Sequence, residues 1–262
     1  MNSMSSTNSM QKPWLSVVIP SYNERSNVEL GVLDDTLSYL QRQKYTWELI
    51  LTDDGSTDGT LDALMEYAKL HPHVRVLANS HQGKGPTVFV GMMAAEGALR
   101  LFTDFDQATP IQEIEKLLPF MEDKYDLVIG SREVQGAKRE REPLHRHVMG
   151  KAFNIAVKML TIQGIQDTQC GFKLFTKQAT EKLIPMMYIY RPGVVRSDAF
   201  TGAFDVELLY LAKKCNMRIA EVPVFWKYRE TERVNPLKDS ILMFLDLLRI
   251  RSADFLGKYP NT

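Results

Sequence analysis

Short apolar, β-branched runs alternate with segments of helical periodicity along the first half of the chain, which is the pattern of successive βαβ units. Residues 16–20 and 47–52 read as strands, and Leu30, Leu33, Leu37 and Leu40 between them recur at helical spacing. Ser26 with Glu29 three residues on forms a capping box that places the start of that helix. The alternation continues with a helix over 60–70, a strand over 74–77, a helix over 87–96 and a strand over 99–103. Thr109, Pro110 and Gln112 supply an N-cap, a first-turn proline and a capping-box partner for the next helix, so residues 104–108 lie where a strand stops. The second half reads as strands over 126–131, 172–175 and 218–226 and helices over 145–160, 177–187, 203–214 and 237–256. The expected fold is α/β, a Rossmann-like, mostly parallel central sheet flanked by helices, in a single domain over 14–256 behind a disordered tail at 1–13.

Composition narrows the partners. Hydrophobic residues are 44% and charged residues 24%, as in globular proteins. Lys plus Arg (32) equals Asp plus Glu (32), which argues against nucleic acid as a partner, because phosphate affinity comes from an excess of cations. The longest greasy stretch, 241–250, is interrupted by Asp246 and Arg249 and is far shorter than the roughly 20 apolar residues of a membrane span. The Ser-, Asn- and Met-rich start lacks the apolar core of a signal peptide. Cys170 and Cys215 make no disulfide framework and no zinc spacing, so a reducing cytoplasm is the expected location.

Ligands of doubly wound sheets gather beyond the carboxyl ends of the strands. Polar residues cluster at four such ends: Ser21-Tyr22-Asn23-Glu24, the run from Asp53 to Gly59, the run from Asn79 to Gly85 with Lys84, and Asp104-Phe105-Asp106. Asp104 and Asp106 are two apart, so both carboxylates share a face while Phe105 turns into the packing. Mg²⁺ or Mn²⁺ suits such a pair, because these ions take one or two carboxylates plus the phosphates of a substrate, which points to a nucleoside diphosphate. Gly83-Lys84-Gly85 lacks the spacing of a P-loop, and no G-x-G-x-x-G follows a strand. The loop over 132–147 carries Arg132, Lys138, Arg139, Arg141 and Arg146, whose guanidinium forks suit a phosphate.

These residues resemble the family 2 glycosyltransferases with the GT-A fold, in the branch of the dolichyl-phosphate glucosyltransferases and dolichol-phosphate mannose synthases. The resemblance is carried by VVIPSYNE (17–24), DDGSTDGT (53–60), D-x-D followed by ATP (104–110), IGSR (129–132), DTQCGFKLF (167–175), FDVELL (204–209) and EVPV (221–224), and the fifth and sixth look more like the glucosyl branch. It implies that Pro20, Tyr22, Glu24 and Asp53, with Gly55 and Ser56, bind the nucleoside. It also implies that Lys84 approaches the diphosphate and that Asp104 and Asp106 hold the metal. Arg132 and Arg146 would then be catalytic residues facing the acceptor phosphate, with Asp167 and Gln169 beside them. Phe105 where the family has Ala, an insertion over 186–201 and the charged run 229–233 depart from the family pattern.

The implied reaction moves a hexose, with UDP-glucose favoured over GDP-mannose, onto a polyprenyl phosphate with inversion. A phosphate nucleophile is largely ionised at neutral pH and needs no general base. The alternatives are a soluble transferase acting on a hydroxyl, for which Asp167 would be the first candidate base, and a silent nucleotide-sugar-binding subunit. For Asp167, Asp205 and Glu207 ion pairing or capping is the preferred reading. Peripheral contact with the cytoplasmic membrane face is expected from two places. One is the last helix, where Leu237, Ile241, Phe244, Leu245, Leu248 and Phe255 share a face, and the other is the stretch 186–196.

Overall fold

The computed structural model describes residues 12–140, 153–157, 159–191, 193, 202–229 and 236–260. In chain order the elements are β1 (Leu15–Ser21), α1 (Arg25–Glu29), α2 (Val32–Gln41), β2 (Trp47–Asp53), α3 (Thr60–Leu70), β3 (Val74–Ala78), α4 (Lys84–Ala94), β4 (Leu99–Thr103) and α5 (Ile114–Glu122). There follow β5 (Leu127–Ser131), β6 (Lys138–Arg139), β7 (Phe172–Thr176), α6 (Lys177–Leu183), α7 (Phe204–Lys214), β8 (Ile219–Pro223), β9 (Phe225–Trp226) and α8 (Pro236–Phe255).

Seven strands form one sheet in the order β3-β2-β1-β4-β7-β5-β8, and β6 pairs with β9 in a small second sheet. Every pairing in the large sheet is parallel except those of β7, which runs antiparallel between β4 and β5. Side chains alternate across each strand, so one core takes Val18, Ile50 and Phe102 and the other takes Val17, Ile19, Leu49, Leu51 and Leu101. Helices α4, α6, α7 and α8 cover the first face and α2, α3 and α5 the second, which is why β1 is buried along its whole length.

The sheet and most helices lie where periodicity places them, but both expected capping boxes are absent. Ser26 sits inside α1, which has no side-chain cap, and a new helix starts after Gly31 at φ 72°. The backbone N–H groups of Asn23 and Glu24 instead donate to Ser56 Oγ (2.9 Å) and Thr60 Oγ1 (2.8 Å), so the neighbouring loop, not local sequence, fixes this start. Thr109 does not cap either: its hydroxyl faces Cys170 Sγ at 3.9 Å, and a 3-10 turn over Ile111–Glu113 leads into α5. The expected strand over 218–226 breaks at Val224 into β8 and β9, and α4 begins at Lys84, ahead of the expected 87. Residues 153–157 and 159–160 are helical, and the rest of the expected 145–160 helix lies outside the described residues.

The last helix keeps its apolar stripe outward: Ile241 (55%), Phe244, Leu245 and Leu248 are exposed and Phe255 is 91% exposed, while Leu247, Ile250 and Ala253 turn inward with Asp246. The Leu237 side chain lies outside the described residues. The inserted stretch, by contrast, is part core: Met187 and Tyr190 are buried, and the N–H groups of Tyr188, Ile189 and Tyr190 all donate to Glu207 at 2.8–2.9 Å. Glu207 also accepts the Tyr259 hydroxyl at 2.8 Å, so one buried carboxylate ties α7 to the chain's end. Burial raises its pKa despite these donors.

Candidate active site

The first two strand ends form one stitched loop pair. Asn23, at φ 53°, accepts the Thr57 N–H at 2.9 Å, and Asp58 accepts the N–H and hydroxyl of Thr60. Asp53 is fully buried; its oxygens accept the Ser56 N–H (2.9 Å), the Ser56 hydroxyl (2.5 Å) and the Ser21 hydroxyl (3.3 Å). Pro20 is buried within β1. Asp53, Ser56 and Pro20 therefore shape the cradle from beneath, while Tyr22 and Glu24 stand part-exposed at its rim.

Asp54, to which the sequence reading gave no part, fastens the third strand end. Its Oδ1 accepts the Gln82 N–H (2.8 Å) and the Thr87 hydroxyl (2.7 Å), and its Oδ2 accepts the Gly83 N–H (3.0 Å) and lies 2.8 Å from His81 Nδ1. The His81 ring stacks on Tyr22, with centroids 4.3 Å apart and planes at 14°. Gly55, at φ 72°, must be glycine, because a Cβ there would sit 2.9 Å from the His81 backbone nitrogen. Gly85 lies against the Phe204 side chain, so the second glycine around Lys84 serves helix packing, not a phosphate loop. The 11-residue helix α4 presents its N-terminus here, where unpaired N–H groups and the helix dipole favour an anion.

At the fourth strand end, Asp104 follows β4 and donates its N–H to Gly171 O at 3.2 Å, Phe105 is buried, and Asp106 Oδ1 accepts the Ala108 N–H at 2.9 Å. Lys84 Nζ lies 2.7 Å from Asp104 Oδ1. Burial, the Asp104 charge and the Glu24 charge push the Asp106 carboxyl up. Among the described residues no third His, Cys, Asp or Glu joins them to make a protein-only metal cage. Two carboxylates that repel each other, with no third protein ligand among the described residues, fit a hard divalent cation whose other ligands are phosphate and water. Gly171 makes the room: a Cβ there would overlap both oxygens of Asp104. Gly171→Ala is therefore expected to displace Asp104 and cut any activity that uses it at least about 100-fold, since a shift of about 1 Å costs that much. Activity beside thermal melting checks it, and a variant with near-normal rates would show that Asp104 has no fixed task.

Across the sheet, Arg132 follows β5 and is locked to Asp167: Nε and Nη2 donate to its carboxylate at 2.7 and 2.9 Å, and the Arg132 N–H adds a third bond at 2.9 Å. Asp167 is fully buried, and although burial opposes its charge, Arg132 holds its pKa below the usual carboxylate range. Asp167 is thus ionised and occupied, as its ion-pairing reading expects. Glu221 supports it from β8 by accepting the Gln166 and Asp167 N–H groups at 2.7–3.1 Å. The guanidiniums of Arg132 and Arg139 lie 5.5 and 5.2 Å from the centre of the Trp226 ring. Gln169 donates its backbone N–H to Asp167 at 3.2 Å, and its Nε2 is buried with no hydrogen-bond partner among the described residues. Arg146 lies outside the described residues.

The sequence reading also missed Lys173, which is fully buried on β7. It meets Asp205 of α7 at 2.5 Å and donates to Cys170 O. Burial pushes the Cys170 thiol up to about 12, which leaves it inert.

The profile described as glycosyl transferase family 2 matches residues 16–184. A dolichyl-phosphate beta-glucosyltransferase from Dictyostelium discoideum is 35% identical over 95% of this chain and 77% of its own length. The Homo sapiens protein of the same name is 35% identical over 94% and 77%. Among solved structures, glucosyl-3-phosphoglycerate synthase from Mycobacterium tuberculosis, in complex with Mn²⁺, UDP and glucosyl-3-phosphoglycerate, aligns with a TM-score of 0.58 at 17% identity over 95% of this chain and 82% of that one. The mannosyltransferase PcManGT from Pyrobaculum calidifontis, in complex with GDP-Man and Mn²⁺, gives 0.58 at 19% identity over 92% and 65%. These structural likenesses concern the fold.

Proposed function

The chain belongs to glycosyl transferase family 2, and from that premise we propose that it transfers glucose from a nucleoside diphosphate sugar, UDP-glucose in preference to GDP-mannose, to dolichyl phosphate. The observation that carries the acceptor is the state of Asp167. A hydroxyl acceptor needs a base, but the carboxylate beside Arg132 is buried, ionised and committed to that arginine. A phosphate acceptor arrives already ionised and needs a cation instead. Asp104, Asp106 and Lys84 are all in place, which disfavours a silent binding subunit.

Asp104 and Asp106 would hold Mg²⁺ or Mn²⁺, which supplies charge stabilisation to the departing diphosphate. Lys84 and the α4 N-terminus add positive potential on the same side. Arg132, oriented by Asp167, and the Gln169 amide receive the acceptor phosphate, with Arg146 as a further candidate. Attack from the face opposite the diphosphate inverts the sugar's anomeric carbon.

We extend the proposal to a membrane surface on the cytoplasmic side. Among the described residues no helix is long and apolar enough to cross a membrane. The exposed Ile241, Phe244, Leu245 and Leu248 of α8, with Arg249, Arg251 and Lys258 nearby, suit a helix lying in an anionic headgroup layer. The test supplies UDP-glucose, UDP-GlcNAc or GDP-mannose, with and without a polyprenyl phosphate in anionic vesicles. Product with UDP-glucose only when the lipid phosphate is present is expected, together with vesicle binding that weakens as salt rises. Transfer to a soluble sugar in the absence of lipid would replace the acceptor reading, and no vesicle sedimentation at low salt would remove the membrane one.

A further inference from the structure

Lys84 stands on the same carboxylate that the cation would use, and this has a consequence for the order of binding; the inference rests on the donor-site reading above. The lysine is not a loose surface charge. It begins α4 directly behind Gly83, whose φ of 91° and whose N–H on Asp54 fix where the helix starts. Its ammonium lies 2.7 Å from Asp104 Oδ1 and 5.8 Å from the centre of the Phe102 ring. Asp205, the other carboxylate on this side, is engaged by the buried Lys173 at 2.5 Å.

An ammonium this close neutralises Asp104 and leaves Asp106 as the net negative charge of the pair. A divalent cation approaching the same oxygen meets a like charge within a few ångströms and is repelled by it. We propose that Lys84 is a built-in counter-ion for Asp104, which a divalent cation must displace, and that an incoming diphosphate makes the site available by drawing the ammonium onto itself. Cation and diphosphate then help each other to bind, and by linkage each raises the other's affinity by the same factor. The lysine has two tasks: it disfavours idle metal binding by the free protein, and it moves to the diphosphate when the donor arrives.

The two tasks predict opposite signs for one substitution. Mn²⁺ is titrated into the intact chain without nucleotide, and free Mn²⁺ is followed by electron paramagnetic resonance; the titration is then repeated with UDP. Lys84→Met is expected to bind Mn²⁺ alone about tenfold tighter than wild type, about 1.4 kcal/mol, and to lose most of the enhancement that UDP confers. Lys84→Arg, which keeps the charge, is expected to bind Mn²⁺ alone as weakly as wild type. Equal or weaker Mn²⁺ binding by Lys84→Met overturns the proposal, and so does tightening by both variants, which would point to space and not charge. Should Lys84→Met fail to fold by circular dichroism, Lys84→Gln carries the same expectation. If wild type binds Mn²⁺ neither with nor without UDP, the cation assignment itself falls and the counter-ion with it. Cooperative Mn²⁺ and UDP binding that is unchanged in the variants would remove the counter-ion alone.

Discussion

Replacing Asp106 with asparagine is expected to abolish glucose transfer, by about 1,000-fold or more, while the fold is kept. The two halves of that expectation have separate causes. Asn is nearly the same shape, and its oxygen can still accept the Ala108 N–H that Asp106 accepts at 2.9 Å. Removing the charge also relieves the repulsion from Asp104 and Glu24 that, with burial, raises the Asp106 pKa, so the melting temperature should stay level or rise. On the proposed metal assignment, catalysis loses one of the two anionic ligands of the cation. Stabilisation of a departing diphosphate is worth several kcal/mol, and about 4 kcal/mol corresponds to a factor of roughly 1,000. Transfer assays and thermal melting on the same preparation check both halves. Wild-type rates from the variant in the presence of a chelator would sink the metal assignment.

Arg132→Ala is expected to strike stability and acceptor use together. It leaves Asp167, fully buried, without its counter-charge, and breaking such a pair costs about 3–5 kcal/mol. At roughly 2–4 °C per kcal/mol for a chain of this size, melting falls by about 6–20 °C. The pH dependence carries a sign. In wild type the Asp167 pKa is depressed by Arg132, so its stabilising contribution is present above the unfolded value near about 4 and is lost as pH falls through the lower folded value. In the variant the largest opposing influence is gone and burial works against only the backbone N–H of residue 132 and the charge of Lys173, so the Asp167 pKa rises and the protein should gain stability as the carboxylate is protonated at lower pH. Melting temperatures from pH 4 to 8 distinguish the two. The double variant Arg132→Leu with Asp167→Leu removes the stranded charge; it should recover most of the stability and none of the transfer to a polyprenyl phosphate. Recovery of transfer as well would take Arg132 out of the acceptor site.

The sequence exposes some of this site and conceals the rest for identifiable reasons. Helix α3 and strand β4 start and stop where periodicity and turn residues place them, because nothing distant competes with those local signals. Capping fails at Ser26 because Ser56 and Thr60, remote in sequence, hold the Asn23 and Glu24 N–H groups and start the helix earlier, and at Thr109 because its hydroxyl faces Cys170. Asp53 and Asp54 are adjacent and chemically identical. At a strand end they point to opposite sides, so the pattern alone does not say that Asp54 anchors the Gln82–Gly83 amides while Asp53 clasps Ser56. Lys173 left a readable trace, since it shares a strand face with Phe175 while Phe172 and Leu174 fill the other, so both faces are apolar and a lysine between them needs a carboxylate partner. In α8 the inward set Leu247, Ile250 and Ala253 alternates with the exposed stripe Ile241, Phe244, Leu245 and Leu248, so the sequence offers two apolar faces and only the packing partners decide which is covered.

Strand β7 joins two parts of the sheet that would otherwise be separate instruments. On one side of it β1, β2 and β4 carry the residues proposed to hold the donor; on the other β5 and β8 carry Arg132 and Glu221, and the loop leading into β7 carries Asp167. Its register, Thr103 opposite Phe172 and Ile129 opposite Lys173, is the ruler that sets the span between the two carboxylates and the arginine. A slip of one residue would move one half past the other by about 3.4 Å and turn Lys173 to the opposite face. The long excursion from β5 to β7 can vary in length without touching that ruler. Strand pairing, more than any loop, thus gauges the distance the sugar must travel.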